Sequence, residues 1–140
     1  MNKGKTISML HLGDKAESVN HVTEDIGVKF ADVSNDHNPV HLDEAYAMAT
    51  PFKGRIAHGM LLAAYISSVI GNQLPGPGSI YVNQTLSFKA PVRYGDTITT
   101  AVEVFEMIPE RNRIKLKTTC TNQNGQVVLE GEALILPPKE

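Results

Sequence analysis

The chain has 140 residues, enough for one domain that buries about two thirds of the surface exposed by the unfolded form without disulfides or metals to staple it. Hydrophobic residues at 41%, charged residues at 20% and aromatic residues at 6% describe a globular protein and exclude a disordered, fibrous or membrane-embedded one. Thirteen basic and 15 acidic residues, a net charge of −2 spread along the chain, provide no cationic stripe for nucleic acid.

The start Met1-Asn2-Lys3-Gly4-Lys5 leads into no apolar run long enough for a signal peptide or a membrane span, and the one cysteine, Cys120, cannot form an intrachain disulfide. A cytoplasmic protein is expected. Thr23 predicts the N-cap of a short amphipathic helix over Glu24–Val33, with Ile26, Phe30 and Val33 at helical spacing. The stretch from Asn35 to Asp43 is dense in polar residues, and Pro39 pushes Asn38 out of helical geometry, so a loop is expected there. Asp43 then suits the cap of a short helix through Glu44 to Ala49, which Pro51 and Gly54 interrupt. From Gly59 to Ile70 the sequence is apolar nearly all round but too short to cross a bilayer, which predicts a helix buried in a core and ended by Gly71 and Pro75.

After Gly78 the period changes to two. Ile80, Val82, Leu86 and Phe88 alternate with Tyr81, Asn83, Thr85 and Ser87 until Pro91, and Tyr94-Gly95-Asp96 makes a turn. Ile98, Thr100, Val102 and Val104 mark the face of the next strand, and Ile114, Leu116, Thr118 and Cys120 that of another. Asn124-Gly125 suits a tight hairpin turn into Gln126 to Leu136. Asn83-Gln84-Thr85 is a glycosylation sequon, expected to be a chance match without a secretory signal. The four strands are expected to form an antiparallel meander. A buried helix followed by such a meander predicts an α+β chain, one domain over residues 1–140, in which a curved antiparallel sheet wraps a central helix. That hot-dog shape leaves sheet edges that a second subunit could cover.

Asp36 and His41 lie in the loop bent by Pro39, where a carboxylate and an imidazole could converge on one water and divide acid and base duties near neutral pH. In isolation, an Asp and a His in such a loop more often serve as caps and turn hydrogen-bonders. Gly59 stands where the buried helix begins, and free backbone N–H groups there attract a developing negative charge; close packing is an equal reason for a glycine. His58 reads equally well as a structural hydrogen-bonder or a ligand contact. His37 and His41 have the i, i+4 spacing of a helical zinc pair, with Asp36 and Asp43 nearby, but Pro39 between them argues against the helix, and no metal or cofactor is expected. Ser67 and Ser68 lack a nucleophile elbow, and Cys120 reads as a small packing residue. Lys53, Arg55, Lys89 and Arg93 could meet coenzyme phosphates at a site rim; taken singly, each is better explained as solvated surface charge.

Asp36-His37-Asn38-Pro39-Val40-His41-Leu42-Asp43, Gly54-Arg55-Ile56-Ala57-His58-Gly59-Met60, Leu86-Ser87-Phe88-Lys89-Ala90-Pro91-Val92 and Gly95-Asp96 together resemble the MaoC-like (R)-specific enoyl-CoA hydratases. The resemblance runs from about Phe30 to Leu136. It implies a hot-dog fold, a homodimer and reversible hydration of trans-2-enoyl-CoA to (R)-3-hydroxyacyl-CoA. It further implies that Asp36 and His41 form the catalytic dyad, that Gly59 supplies the oxyanion N–H, and that Ser67 lines the acyl pocket. The group that protonates C2 stays open, as do acyl length and pathway, since polyhydroxyalkanoate precursor supply, β-oxidation and fatty-acid synthesis can all use the reaction. Alternatives are a dehydratase acting on acyl carrier protein thioesters, a hot-dog thioesterase, and a non-catalytic acyl-binding subunit.

Overall fold

The computed structural model describes residues 3–140; Met1 and Asn2, on which the reading of the chain's start partly rests, lie outside the described residues. After a 3-10 turn at Ile7–Met9 come strand β1 (Lys15–His21) and helices α1 (Glu24–Ser34), α2 (Glu44–Met48) and α3 (Gly59–Asn72). Strands β2 (Ile80–Gln84), β3 (Ser87–Phe88), β4 (Thr97–Ile108), β5 (Arg113–Thr121) and β6 (Val127–Leu136) follow. They make a single antiparallel sheet in the order β1-β4-β5-β6-β2, with β3 also paired to β6. Helix α3 packs against β4, β5 and β1, so the sheet curves around it as the hot-dog reading requires. Among the described residues no helix is long and apolar enough to cross a membrane.

The local rules that place these elements are simple. Thr23 accepts from the Ile26 N–H and Asp43 from the Tyr46 N–H, each satisfying a donor that a helix start leaves free. In β4 and β5 strict alternation puts Ile98, Val102, Ile114 and Leu116 onto the α3 face, where Leu62, Ile66 and Ile70 meet them. Thr100 and Thr118 share that buried face; Gln84 Nε2–H donates to Thr118 at 2.9 Å, and Thr100 lies 3.5 Å from Cys120 Sγ. Burial pushes the Cys120 thiol up, consistent with a packing residue. Between β5 and β6 the side chain of Asn122 accepts from the Asn124 and Gln126 N–H groups, and Gly125 takes the left-handed φ of +76° that the turn demands.

Several expectations need correction. The meander is confined to β4, β5 and β6, because the first predicted strand crosses over to pair with β6 at the far side. That strand is also two pieces. Thr85 turns out of the ladder, its N–H donating to the Glu132 carbonyl and its hydroxyl accepting from the Glu132 N–H. Ile80, Val82 and Phe88 stand exposed in the single chain, so their alternation marks no buried face there. Strand β1 was not expected at all: its helix-side residues are Ala16, Ser18 and Asn20, and its backbone pairing with β4 places it. In α1 the covered residues are Ile26, Gly27, Phe30 and Ala31, while Val33 is 83% exposed. Helix α3 runs through Gly71 to Asn72 and is not buried all round, since Met60, Ala64, Ser67 and Ser68 form an exposed stripe.

The break between β2 and β3 depends on Gly131. A Cβ there would stand 1.9 Å from the Thr85 carbonyl oxygen, a clash with backbone that no rotamer change relieves. Gly131→Ala is expected to cost about 3 kcal/mol, read as a lower urea midpoint with an unchanged m-value. A loss below about 1 kcal/mol would show that the two strands can part freely.

Candidate active site

The loop between α1 and α2 is wound by short-range hydrogen bonds. Asn35, at a left-handed φ of 60°, stops α1. Asp36 Oδ1 then accepts from the Asn38 N–H (3.2 Å), and the Asn38 side chain from the Val40 N–H (3.4 Å). The His41 N–H donates to the Asn38 carbonyl (3.0 Å), and the Leu42 and Asp43 N–H groups both donate to Pro39. This tight turn points Val40 and His41 inward, each only 9% exposed, and leaves Asp36 exposed at its rim. Tyr94, across the site, donates its hydroxyl to the His41 carbonyl at 2.8 Å.

Side-chain protons are assigned by partners. His41 Nδ1 lies 2.8 Å from the Ile56 carbonyl, which can only accept, so Nδ1 carries the hydrogen and Nε2 keeps a lone pair. His58 Nε2 lies 2.9 Å from the Asp36 backbone carbonyl, which by the same logic makes Nε2–H the donor. The two imidazoles stack with centroids 3.9 Å apart and planes at 25°, and Phe30 tilts against the His58 ring at 5.0 Å. His58 is 2% exposed, and its Nδ1 has no hydrogen-bond partner among the described residues.

Both imidazoles border a cavity of about 350 Å³. His41, His58 and Gly59 form its polar side, and Phe52, Ile56, Leu62, Phe88 and Pro91 are among its apolar walls. Helix α3 starts at Gly59 with no side-chain cap, and the first N–H groups of a helix have no acceptor within it. The glycine also lets an aromatic ring come close, since a Cβ on it would meet Phe88 Cε1 at 2.7 Å. An imidazole lone pair and an uncapped helix start thus border an apolar hollow, with the Asp36 carboxylate within 4.8 Å of the two imidazoles. Such a set can move protons and steady a developing oxyanion.

The structure brings Asp36, His41 and Gly59 to one place. His58 belongs with them, and the sequence held one signal for it: an uncommon residue type at a helix N-cap, where Ser, Thr, Asp and Asn prevail. Tyr94 and Phe88 were missed as site residues, for their roles arise only from long-range contact. His37 turns away to Asp32 (3.4 Å) and Asp43 caps α2, so His37 and His41 do not converge with these carboxylates. Asp36, His41 and His58 do each offer a ligand atom within 4.8 Å of the others. A metal lies near the plane of each imidazole that ligates it, so two rings stacked at 3.9 Å and 25° are a poor fit to one tetrahedral ion.

The four cations divide. Arg55 is held by Glu44 (2.9 Å) and Glu24 and lies over the Tyr94 ring, tying α1 and α2 to the site wall. Arg93 donates to the Gly54 and Phe52 carbonyls, so it too is committed to structure. Lys53 is exposed, and Lys89 lines the cavity while pairing with Glu130 at 3.5 Å. Ser67 sits on the exposed stripe of α3, away from the residues that line the cavity.

Residues 12–126 match the family described as MaoC like domain. An (R)-specific enoyl-CoA hydratase of Rhodospirillum rubrum is 52% identical over 126 residues, 90% of this chain and 87% of that one. A 3-hydroxybutyryl-CoA dehydratase of Methylorubrum extorquens is 53% identical over 113 residues, covering 81% and 71%. Among solved structures, the unliganded R-hydratase PhaJ1 from Pseudomonas aeruginosa superposes with a TM-score of 0.92 at 48% identity, over 98% of this chain and 88% of that one.

Burial lowers the pKa of His41 from the ordinary 6.5; the Ile56 carbonyl opposes this, His58 adds to the lowering and Asp36 works against it. The sign follows: as pH falls, the unfolded chain takes its proton first, so His41 adds stability above 6.5 that is lost as pH drops through its folded value. An NMR titration of the His41 ring is expected to show a midpoint below 6.5, and a midpoint at or above 6.5 contradicts the buried, neutral tautomer.

Proposed function

The chain belongs to the MaoC-like domain family, and on that premise we propose that it catalyses the reversible addition of water to a trans-2-enoyl-CoA, giving the (R)-3-hydroxyacyl-CoA. It is a carbon–oxygen lyase. The observation that carries this reading is the tautomer of His41: with Nδ1–H committed to Ile56, Nε2 can only accept. A water that donates one hydrogen to Nε2 and the other to the Asp36 carboxylate has its lone pairs free for attack.

The water oxygen bonds to C3 as Asp36 takes its proton. The C2=C3 π electrons move toward the thioester, and the oxygen acquires enolate character. The N–H of Gly59 at the open start of α3 stabilises that charge. Collapse of the enolate with a proton from the dyad forms the C2–H bond on the same face. The apolar walls from Phe52, Ile56 and Leu62 exclude bulk water, which strengthens each of these interactions. Lys89 at the cavity edge suits a coenzyme phosphate better than Arg55 or Arg93, whose donors are already engaged.

The unit we propose is a cytoplasmic homodimer of single-domain chains. In one chain the stripe Met60, Ala64, Ser67 and Ser68 and the apolar strand residues Ile80, Tyr81 and Val82 are exposed. A second copy over these surfaces would enclose Ser67, which is the setting in which it can line an acyl pocket. Light scattering at micromolar concentration is expected to give twice the chain mass; a monomer contradicts the pairing.

Asp36→Asn keeps the shape but cannot take a proton, and His41→Ala removes the acceptor that orients the water. Each is expected to fold normally and to lower kcat by about 10²–10⁴-fold with a smaller change in KM. Because both act on one water, the double variant should be far less impaired than the product of the two losses. Retention of more than about a third of wild-type kcat by either single variant, with chemistry rate-limiting, overturns the assignment.

A further inference from the structure

We propose that His58 is a positioning residue for the hydration: its Nε2–H fixes the Asp36 backbone and its ring braces the face of His41, so that the two acceptors aim at one water. The inference rests on the hydratase reading of this site. His58 is the last residue before α3, the one rigid helix that the sheet wraps, whereas Asp36 and His41 belong to a loop. The loop's own hydrogen bonds set its turn and hold Asp36 Oδ1 on the Asn38 N–H, yet they fix the carboxylate only relative to the loop and leave the backbone torsions of Asp36 free to shift it against His41. Anchoring its carbonyl at 2.9 Å to a buried donor restricts them. The stack at 3.9 Å performs the same service for His41, whose Nδ1 bond alone would still allow the ring to swing about the Nδ1···Ile56 axis.

An ordinary packing role fits poorly. The buried Nδ1 of His58 has no partner among the described residues, a cost that a phenyl ring of similar shape would avoid, and the side chain caps no backbone group of α3. What the imidazole supplies and a phenyl ring does not is the donor to Asp36. It also differs from a proton-transfer role, because the one hydrogen on the ring is already directed at a backbone carbonyl, which cannot take it.

Two substitutions separate the contributions. His58→Phe keeps the stack and removes the donor, while His58→Gln places an amide N–H near the position of Nε2 and gives up the ring. Hydration of crotonyl-CoA is measured with thermal unfolding of each variant. His58→Phe is expected to lower kcat by about 10²-fold with KM within about threefold, the pattern of a displaced catalytic group rather than of lost substrate binding. His58→Gln is expected to recover kcat to within about tenfold of wild type, the remaining deficit being the lost brace on His41. If the Phe variant does not fold, His58→Met, also apolar and without a donor, takes its place against Gln. A donor-less variant with normal unfolding and kcat within about threefold of wild type overturns the inference, as does a Gln variant that falls as far as Phe or Met. A wild-type protein that hydrates no enoyl-CoA overturns the hydratase reading instead, and the two failures are therefore distinct.

Discussion

The hydrogen bond from His41 Nδ1–H to the Ile56 carbonyl, 2.8 Å long, assigns the single proton of a neutral imidazole to the side of the ring that faces protein, and so leaves Nε2 as an acceptor. Everything else at the site serves the geometry of that bond or its neutrality. The Ile56 segment is itself fixed from both sides, its N–H donating to Val40 and the next N–H, that of Ala57, donating to Val92. Loop, connecting segment and helix start are thus laced together by backbone bonds, which do not depend on side-chain rotamers. Burial then keeps the ring uncharged at neutral pH, because an imidazolium there would lose more hydration than its neighbours return.

Around this centre, charge is used for scaffolding and the cavity is left mostly apolar. Arg55 joins Glu24 of α1 to Glu44 of α2 and covers the Tyr94 ring, while Tyr94 holds the His41 carbonyl. Gly27 makes room for that tyrosine, as a Cβ at this position would fall 2.3 Å from its hydroxyl. The short helices α1 and α2 are therefore fastened to the active loop by one guanidinium and one phenol. The ion pairs are partly exposed, so their value lies more in fixing geometry than in stability.

Much of this was legible from the sequence, where local chemistry decides the outcome. Thr23 and Asp43 announced their helices because a cap is a contact within three residues. The inner faces of β4 and β5 were legible because alternation of Ile98, Thr100, Val102 and Val104 reports a sheet with one side in the core. What escaped was non-local. Strand β1 contributes backbone pairing and little apolar surface, and β2 pairs with β6 across most of the C-terminal half, which no local pattern encodes. The exposed stripe of α3 misled for a different reason, as Met60 and Ala64 look like core residues when only composition is considered. At the site, loop and helix-start chemistry together with motif resemblance singled out Asp36, His41 and Gly59, which the fold brings together. Arg55 and Arg93 carried the right charge for a coenzyme but had internal partners waiting for them.

In the proposed reaction one water, held between Asp36 and His41 Nε2, is added to one face of an enoyl thioester whose oxygen rests at the start of α3. Hydration of crotonyl-CoA in D2O, with chiral and NMR examination of the product, tests it most directly. The expected product is (R)-3-hydroxybutyryl-CoA carrying a single deuterium at C2 on the same face as the new hydroxyl. An (S) product, addition from opposite faces, or no hydration at all would contradict it.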